Sequence, residues 1–175
     1  MIVWVDLETT GLDPANDPIL EIAMIATDDD LEIIDKFGFL IKPDAPLVLN
    51  EKVKAMHTKN GLINEVNRKG KSSPTAMMQT FAWLSTLGTP FTVPMAGASV
   101  HFDRAFLKEQ MPVVEGWFHY RNIDISTVME LTRRWRPNAA EMAPKPRGEH
   151  RALADLEDTI ALARYYRRMF FSSAT

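Results

Sequence analysis

Four carboxylic acids in this chain are spaced as the ligands of a divalent metal centre would be. Asp6 and Glu8 stand two apart in Val3-Trp4-Val5-Asp6-Leu7-Glu8, Asp103 follows Ala98-Ser99-Val100-His101-Phe102, and Asp155 comes five residues after His150. Side chains two apart on a strand point to the same face, so Asp6 and Glu8 would share a site. Acids gathered at one point repel unless cations occupy it, so the grouping implies metal and, through metal, phosphate chemistry. Hard oxygen ligands favour Mg2+ or Mn2+ over zinc, and the absence of cysteine strengthens that choice. Two such ions about 3.5–4 Å apart can stabilise both an attacking water and a leaving oxygen.

The attacking water needs a base, and His150 is the natural candidate, because imidazole titrates near neutrality. A spacing of five does not place His150 and Asp155 on one helical face. His150 is therefore expected before the helix, reaching into the cleft from its end. A loop there would close over substrate and open for product release.

These side chains need elements to position them. Residues 2–8 are rich in β-branched types, as suits a central strand buried on both faces, and Thr9-Thr10-Gly11-Leu12-Asp13-Pro14 supplies a turn. Residues 19–27 and 33–41 complete an antiparallel meander across Asp28-Asp29-Asp30. Helical texture begins after Lys42-Pro43. A helix opens at Ser73-Pro74, with Ser73 as N-cap, carries Met77, Met78, Phe81, Trp83, Leu84 and Leu87 as core, and ends at Gly88. A short strand at 93–96 leads into a helix over 102–111 that places Asp103 near its start. A further strand at 123–125 leads into a helix capped by Ser126. Residues 138–149, with Pro144, Pro146 and Gly148, read as a mobile loop. The last helix spans 151–169, buries Leu153, Leu156, Ile160 and Ala163, and carries Asp155 in its first turn. A meander followed by alternating strands and helices describes an α/β domain with a mixed sheet, and 175 residues fit one domain, 1–175.

Hydrophobic residues at 46% and charged residues at 25% are ordinary for a soluble protein. A net charge of −3 argues against a dedicated binder of long duplex DNA, but not against an enzyme that holds short oligonucleotides through metals and local Arg and Lys. With no apolar run of membrane-span length and no visible signal peptide, a cytoplasmic location and no membrane partner are expected.

At these residues the chain resembles the DEDDh exonucleases, the DnaQ-like 3′-5′ exonucleases of the ribonuclease H-like fold. Asp6-x-Glu8-Thr9-Thr10-Gly11 is similar to their first motif, Asp103 to the second, and His150-x4-Asp155 to the third. The oligoribonuclease branch is more similar still, through Gly11-Leu12-Asp13-Pro14, His57-Thr58-x-x-Gly61-Leu62 and Phe118-His119-Tyr120-Arg121-x-x-Asp124-x-Ser126-Thr127. The resemblance implies a five-stranded mixed sheet flanked by helices and a homodimer that trims short single-stranded oligonucleotides to 5′-mononucleotides. It implies that Asp6, Glu8, Asp103 and Asp155 bind two metals, with His150 as base. Leu12 would pack on a terminal base, and Thr9, Ser99 and His57 would help hold a dinucleotide. Tyr120, Arg121, Ser126 and Thr127 would hold the 5′ phosphate, the first two from the partner subunit.

Three departures reopen the substrate. Thr9 stands where oligoribonucleases usually carry Met and the DNA-proofreading branch carries Thr. Ala98 replaces an Asn. Lys52 replaces an aromatic wedge, a stacking contact worth about 1–3 kcal/mol per base. RNA is favoured as substrate and DNA stays open, so a DNA exonuclease of proofreading or nucleotide-salvage type is the rival. A non-catalytic scaffold is a second, although such a module has no need of four acids and a histidine. Asp158, three residues after Asp155, is expected on the helix surface or behind the site rather than on a metal. His101 and His119 are expected to pack or hydrogen-bond. Arg133, Arg134 and Arg136 read as a solvated helix end.

Overall fold

The computed structural model describes residues 1–171. Strands β1 (Ile2–Thr9), β2 (Ile19–Thr27) and β3 (Ile33–Leu40) form the meander, and β4 (Pro94–Gly97) and β5 (His119–Asp124) extend it. The sheet order is β3-β2-β1-β4-β5. β2 runs antiparallel to β1 and β3, while β4 runs parallel to β1 and β5 parallel to β4. The expected five-stranded mixed sheet is therefore present, with β1 at its centre.

Helices α1 (Glu51–Lys59) and α2 (Leu62–Lys69) follow the meander, then α3 (Ser73–Leu87), α4 (His101–Gln110), α5 (Pro112–Glu115), α6 (Ile125–Trp135), α7 (Pro137–Glu141) and α8 (Ala152–Tyr166). Alternation along β1 divides the core in two. Val3, Val5 and Leu7 pack with Ala76 and Leu84 of α3 and Phe106 and Leu107 of α4. Trp4 packs on the other face with Leu156, Ile160 and Ala163 of α8 and Ile125 of α6. Asp6 and Glu8 share the parity of Trp4 and so face α8. β4 crosses β1 closely: a Cβ on Gly97 would lie 2.8 Å from the Val5 carbonyl oxygen and 3.2 Å from Val100, so only glycine fits there.

Several local expectations are corrected. The cap of α3 is Ser72 rather than Ser73, and Pro74 still lies in the first turn, where its missing N–H costs nothing. Met78 is exposed, because the buried stripe runs through Ala76, Thr80 and Leu84. β5 begins at His119 rather than at 123, and Ile125 already belongs to α6. The cap of α6 is Asp124, whose carboxylate accepts from the Ser126 N–H at 2.9 Å. Residues 137–141 are helical, so the loop before α8 starts later than the prolines suggest. α8 ends at Tyr166 and passes into a π-helical turn, Arg167–Phe171. Tyr166, the last residue of α8, is buried in the core, and Tyr165 donates to the Ala139 carbonyl at 2.6 Å. Among the described residues no helix is long and apolar enough to cross a membrane.

Candidate active site

β1 delivers Asp6 and Glu8 to the end of the sheet, and the first turn of α8 brings Asp155 against them. One oxygen of each of the three carboxylates lies within 4.8 Å of the others. Asp103 does not join that group. It is buried in the first turn of α4, and its Oδ1 accepts the Leu7 N–H at 3.0 Å, so it is fastened to β1 from the opposite face. It still raises the pKa of Asp6 by charge repulsion.

The electrostatics are those of acids with too little counter-charge. Burial, and then repulsion from Asp103, Glu8, Asp155 and Glu21, lifts Asp6 well above the usual carboxylate range. Burial, Asp155 and Glu21 push Glu8 to about 8, against an opposing pull from Arg151. Burial takes Asp103 to about 7 despite the hydrogen bonds it accepts from backbone N–H groups, including that of Leu7. Burial raises Asp155 too, while His150 opposes the shift.

Glu21 is a fifth acid that the motif spacing did not single out. It lies opposite Glu8 in the β1–β2 ladder, so two carboxylates face each other across the strands. Arg151 makes that arrangement tolerable. Its Nε and Nη2 donate to the two Glu21 oxygens at 3.1 and 3.0 Å, Nη2 also reaches Glu65 at 2.7 Å, and the Ala152 N–H donates to Glu21 at 3.2 Å. These bonds hold the Arg151 pKa above its usual value. The signal was present in the sequence: Glu21 is the one charged residue in Ile-Leu-Glu-Ile-Ala-Met-Ile-Ala-Thr.

His150 lies outside α8, at the end of the loop, with a positive φ of 50° and an exposed side chain. Its backbone carbonyl accepts from Asn60 Nδ2 at the junction of α1 and α2. It precedes the turn of α8 that carries Asp155. Asp158 carries the chain of Arg147, whose N and Nε donate to its two oxygens at 2.7 and 2.8 Å, and its charge also raises the pKa of Asp155.

The expected substrate contacts separate into groups. Leu12, on the turn after β1, is 83% exposed. Thr9 donates its hydroxyl to the Gly11 carbonyl at 2.7 Å and shapes that turn. His57 is fully buried: Nε2 donates to the Thr9 carbonyl at 3.0 Å and lies 3.9 Å from Glu8, and Nδ1 has no partner among the described residues. It therefore supports the strand end beneath the cleft. Ser99 has φ 57°, its N–H donates to Asp124 at 2.9 Å, and its hydroxyl donates to Ser126 at 3.1 Å. Ser99, Ser126 and Thr127 line one depression of about 370 Å³ with Arg134. Tyr120 and Arg121 do not line it; they project from the exposed strand β5, with the Arg121 guanidinium 5.5 Å from the Tyr120 ring centroid. His119 accepts the Arg121 N–H at 3.2 Å. A larger cavity of about 640 Å³ opens beside Asp6 and Asp155, walled by Ile125, Met129, Leu162 and Tyr166.

The sequence model of the Exonuclease family matches residues 3–163. The chain is 42% identical over 173 residues to the oligoribonuclease of Shewanella loihica, covering 97% of this chain and 95% of that protein. It is 40% identical over 172 residues to the oligoribonuclease of Chromobacterium violaceum, covering 97% and 94%. In fold it superposes on the E. coli exonuclease I solved in complex with a dT13 oligonucleotide, with a TM-score of 0.75, 21% identity, and coverage of 97% of this chain. It spans 42% of that longer protein.

Proposed function

Because the chain belongs to the oligoribonuclease family of 3′-5′ exonucleases, we propose that it trims short single-stranded oligonucleotides to 5′-mononucleotides with two divalent cations and His150 as general base. The observation that carries this reading is the unneutralised acid cluster. Three carboxylates offer oxygens within 4.8 Å of one another, Asp103 stands alongside, and the neighbouring arginine, Arg151, is taken up by Glu21 and Glu65. All donors are carboxylate oxygens, the set that Mg2+ or Mn2+ prefers. Asp6, Glu8 and Asp155 would hold one cation, and Asp103 would help hold the second. When bound, such cations stabilise negative charge on the attacking and leaving oxygens of the phosphodiester.

The chain's own residues supply the rest. His150 takes a proton from water as the water oxygen bonds to phosphorus and the bond to the 3′ oxygen breaks. That 3′ oxygen leaves with a proton from solvent, and the phosphate stays on the released nucleotide. Leu12 is free to lie against the terminal base, with Thr9 shaping its turn and His57 fixing the Thr9 carbonyl beneath. Ser126 and Thr127 would take the 5′ phosphate, assisted by Tyr120 and Arg121 of the partner subunit in a homodimer, and Ser99 beside them would help hold the dinucleotide. Capping the 5′ end in this way limits the length of the substrate. The site is read as one catalytic domain, working in the cytoplasm.

Short RNA is the favoured substrate. Short single-stranded DNA is the second reading, favoured by Thr9 and by the fold shared with an exonuclease that binds dT13. Turnover of RNA and DNA oligomers of two to five residues with Mn2+ separates them. Faster loss of RNA supports the proposal, and DNA degraded far faster than RNA of equal length rejects it. A monomer in light scattering at micromolar concentration rejects the role of the partner's Tyr120 and Arg121.

A further inference from the structure

We propose that Arg147 is a positioning residue for His150, an inference that rests on His150 being the base. His150 sits on a loop with no regular structure from 144 to 151, and Gly148, at φ 69°, lets the backbone reverse between Arg147 and His150. Without a helix or strand to hold it, the loop depends on side chains for its place. Arg147 supplies several of the bonds that hold it, through its backbone N–H, Nε and Nη2. The Arg147 N–H and Nε take the two Asp158 oxygens at 2.7 and 2.8 Å, and Nη2 takes the Ala154 carbonyl at 2.8 Å and Glu157 at 3.2 Å. Nη1 lies 3.6 Å from Glu149, next to the base itself.

The grip falls on the turn of α8 that carries Asp155, because Ala154 is its neighbour and Asp158 lies three residues on. Glu157 is itself held from β3 by Lys36 at 2.7 Å, so the clasp is braced against the sheet. On the other side of His150, Arg151 is locked to Glu21 and Glu65, and Asn60 holds the His150 carbonyl. The base is thus pinned by arginines three residues before and one residue after, and Arg147 is the more exposed of the two. An exposed ion pair adds little to overall stability. A fork of several bonds that sets the distance from the base to the ligand-bearing turn is worth much more in rate, since small misplacements of reacting groups are costly.

The test is turnover of an RNA dinucleotide by full-length protein with Mn2+. Arg147→Ala is expected to lower kcat about 10–100-fold, with KM and the Mn2+ concentration for half-maximal rate little changed. Arg147→Lys, which keeps the charge but loses the fork, should recover only part of the loss. In a His150→Ala background, adding Arg147→Ala should cost nothing further, because the benefit that it removes passes through the base. Wild-type kcat in Arg147→Ala overturns the proposal. So does a loss that multiplies in the double variant, which would mean that Arg147 acts on substrate or fold. If Arg147→Ala melts early, Asp158→Asn replaces it with the same expectations, and wild-type kcat there overturns the clasp equally. Full activity in His150→Ala alone removes the general-base reading first, and this inference with it.

Discussion

Asp6, Glu8 and Asp155 stand on a central strand and a core helix, whereas His150 stands on a segment held by side chains. Asp6 and Asp155 are carried by elements that pack together through Trp4, Leu156 and Ile160, so the fold itself holds the acids close. The histidine is held by replaceable polar contacts from Arg147, Arg151 and Asn60. The clustered charge is built on rigid elements, and the histidine proposed as base is not. The two halves of one reaction are thus placed under different mechanical rules.

That contrast can be broken at either half, and the largest effect belongs to the acids. Asp6→Ala should cut turnover of a short RNA by about 10³-fold or more, since cation stabilisation is worth several kcal/mol. Calorimetric titration with Mn2+ should show weaker binding in parallel, and undiminished binding would remove Asp6 from the ligand set. His150→Ala should cost about 10²–10⁴-fold while leaving Mn2+ binding intact, the split expected if the base is separable from the metals. Loss of metal binding in that variant would show that the two regions are not separate.

A smaller effect tests the rigid half through Arg151. Glu21→Ala leaves that arginine with Glu65 alone in a half-buried place, and should destabilise the fold by about 1–3 kcal/mol. For a chain of this size that is a fall of about 2–4 °C in Tm per kcal/mol. An unchanged melt would show that Arg151 is not holding the base of α8.

The smallest expected signal is in pH. Glu8 and Asp103 are pushed up to about 8 and about 7, so between their ordinary values and these the folded chain binds more protons than the unfolded one. The contribution of these groups to the stability of metal-free protein should therefore be greatest below about pH 4, where both states are protonated, and fall as pH rises to 8. A tenfold difference in proton affinity between folded and unfolded chain corresponds to about 1.4 kcal/mol. The acid denaturation of other groups superposes on this, so the contrast to measure is the Tm gained on adding Mn2+. That gain should be larger at pH 8 than at pH 6, where protons compete for the same oxygens. An equal gain at both would deny that the raised acids are the ligands.

Much of this was legible in the sequence, for reasons that differ by residue. Asp6 and Glu8 could be placed because strand alternation is strict, and the meander because its turns are marked by Asp and Gly. The true start of β5 was hidden because His119, Tyr120, Arg121 and Asn122 are polar and lie on an exposed edge, where no alternation is imposed. The cap of α6 was misplaced by two residues because Asp124 and Ser126 are both good caps, and only tertiary contact with Ser99 decides between them. The burial of His57 and the pairing of Glu21 with Arg151 could not be read at all. Each joins residues far apart in the chain through contacts that no local pattern encodes. Asp103 shows the opposite limit: its motif was clear, yet its fastening to the Leu7 N–H sets it apart from the other three acids.

The α1–α2 junction holds two carbonyls at once, that of Thr9 through His57 and that of His150 through Asn60. One lies at the strand end beside the acid cluster, and the other belongs to the histidine proposed as base. A small helical pair with little core of its own therefore spans both banks of the cleft. If the proposed roles of Thr9 and His150 hold, one short helical pair touches both, and changes of side chain on α1 should alter substrate choice and rate together.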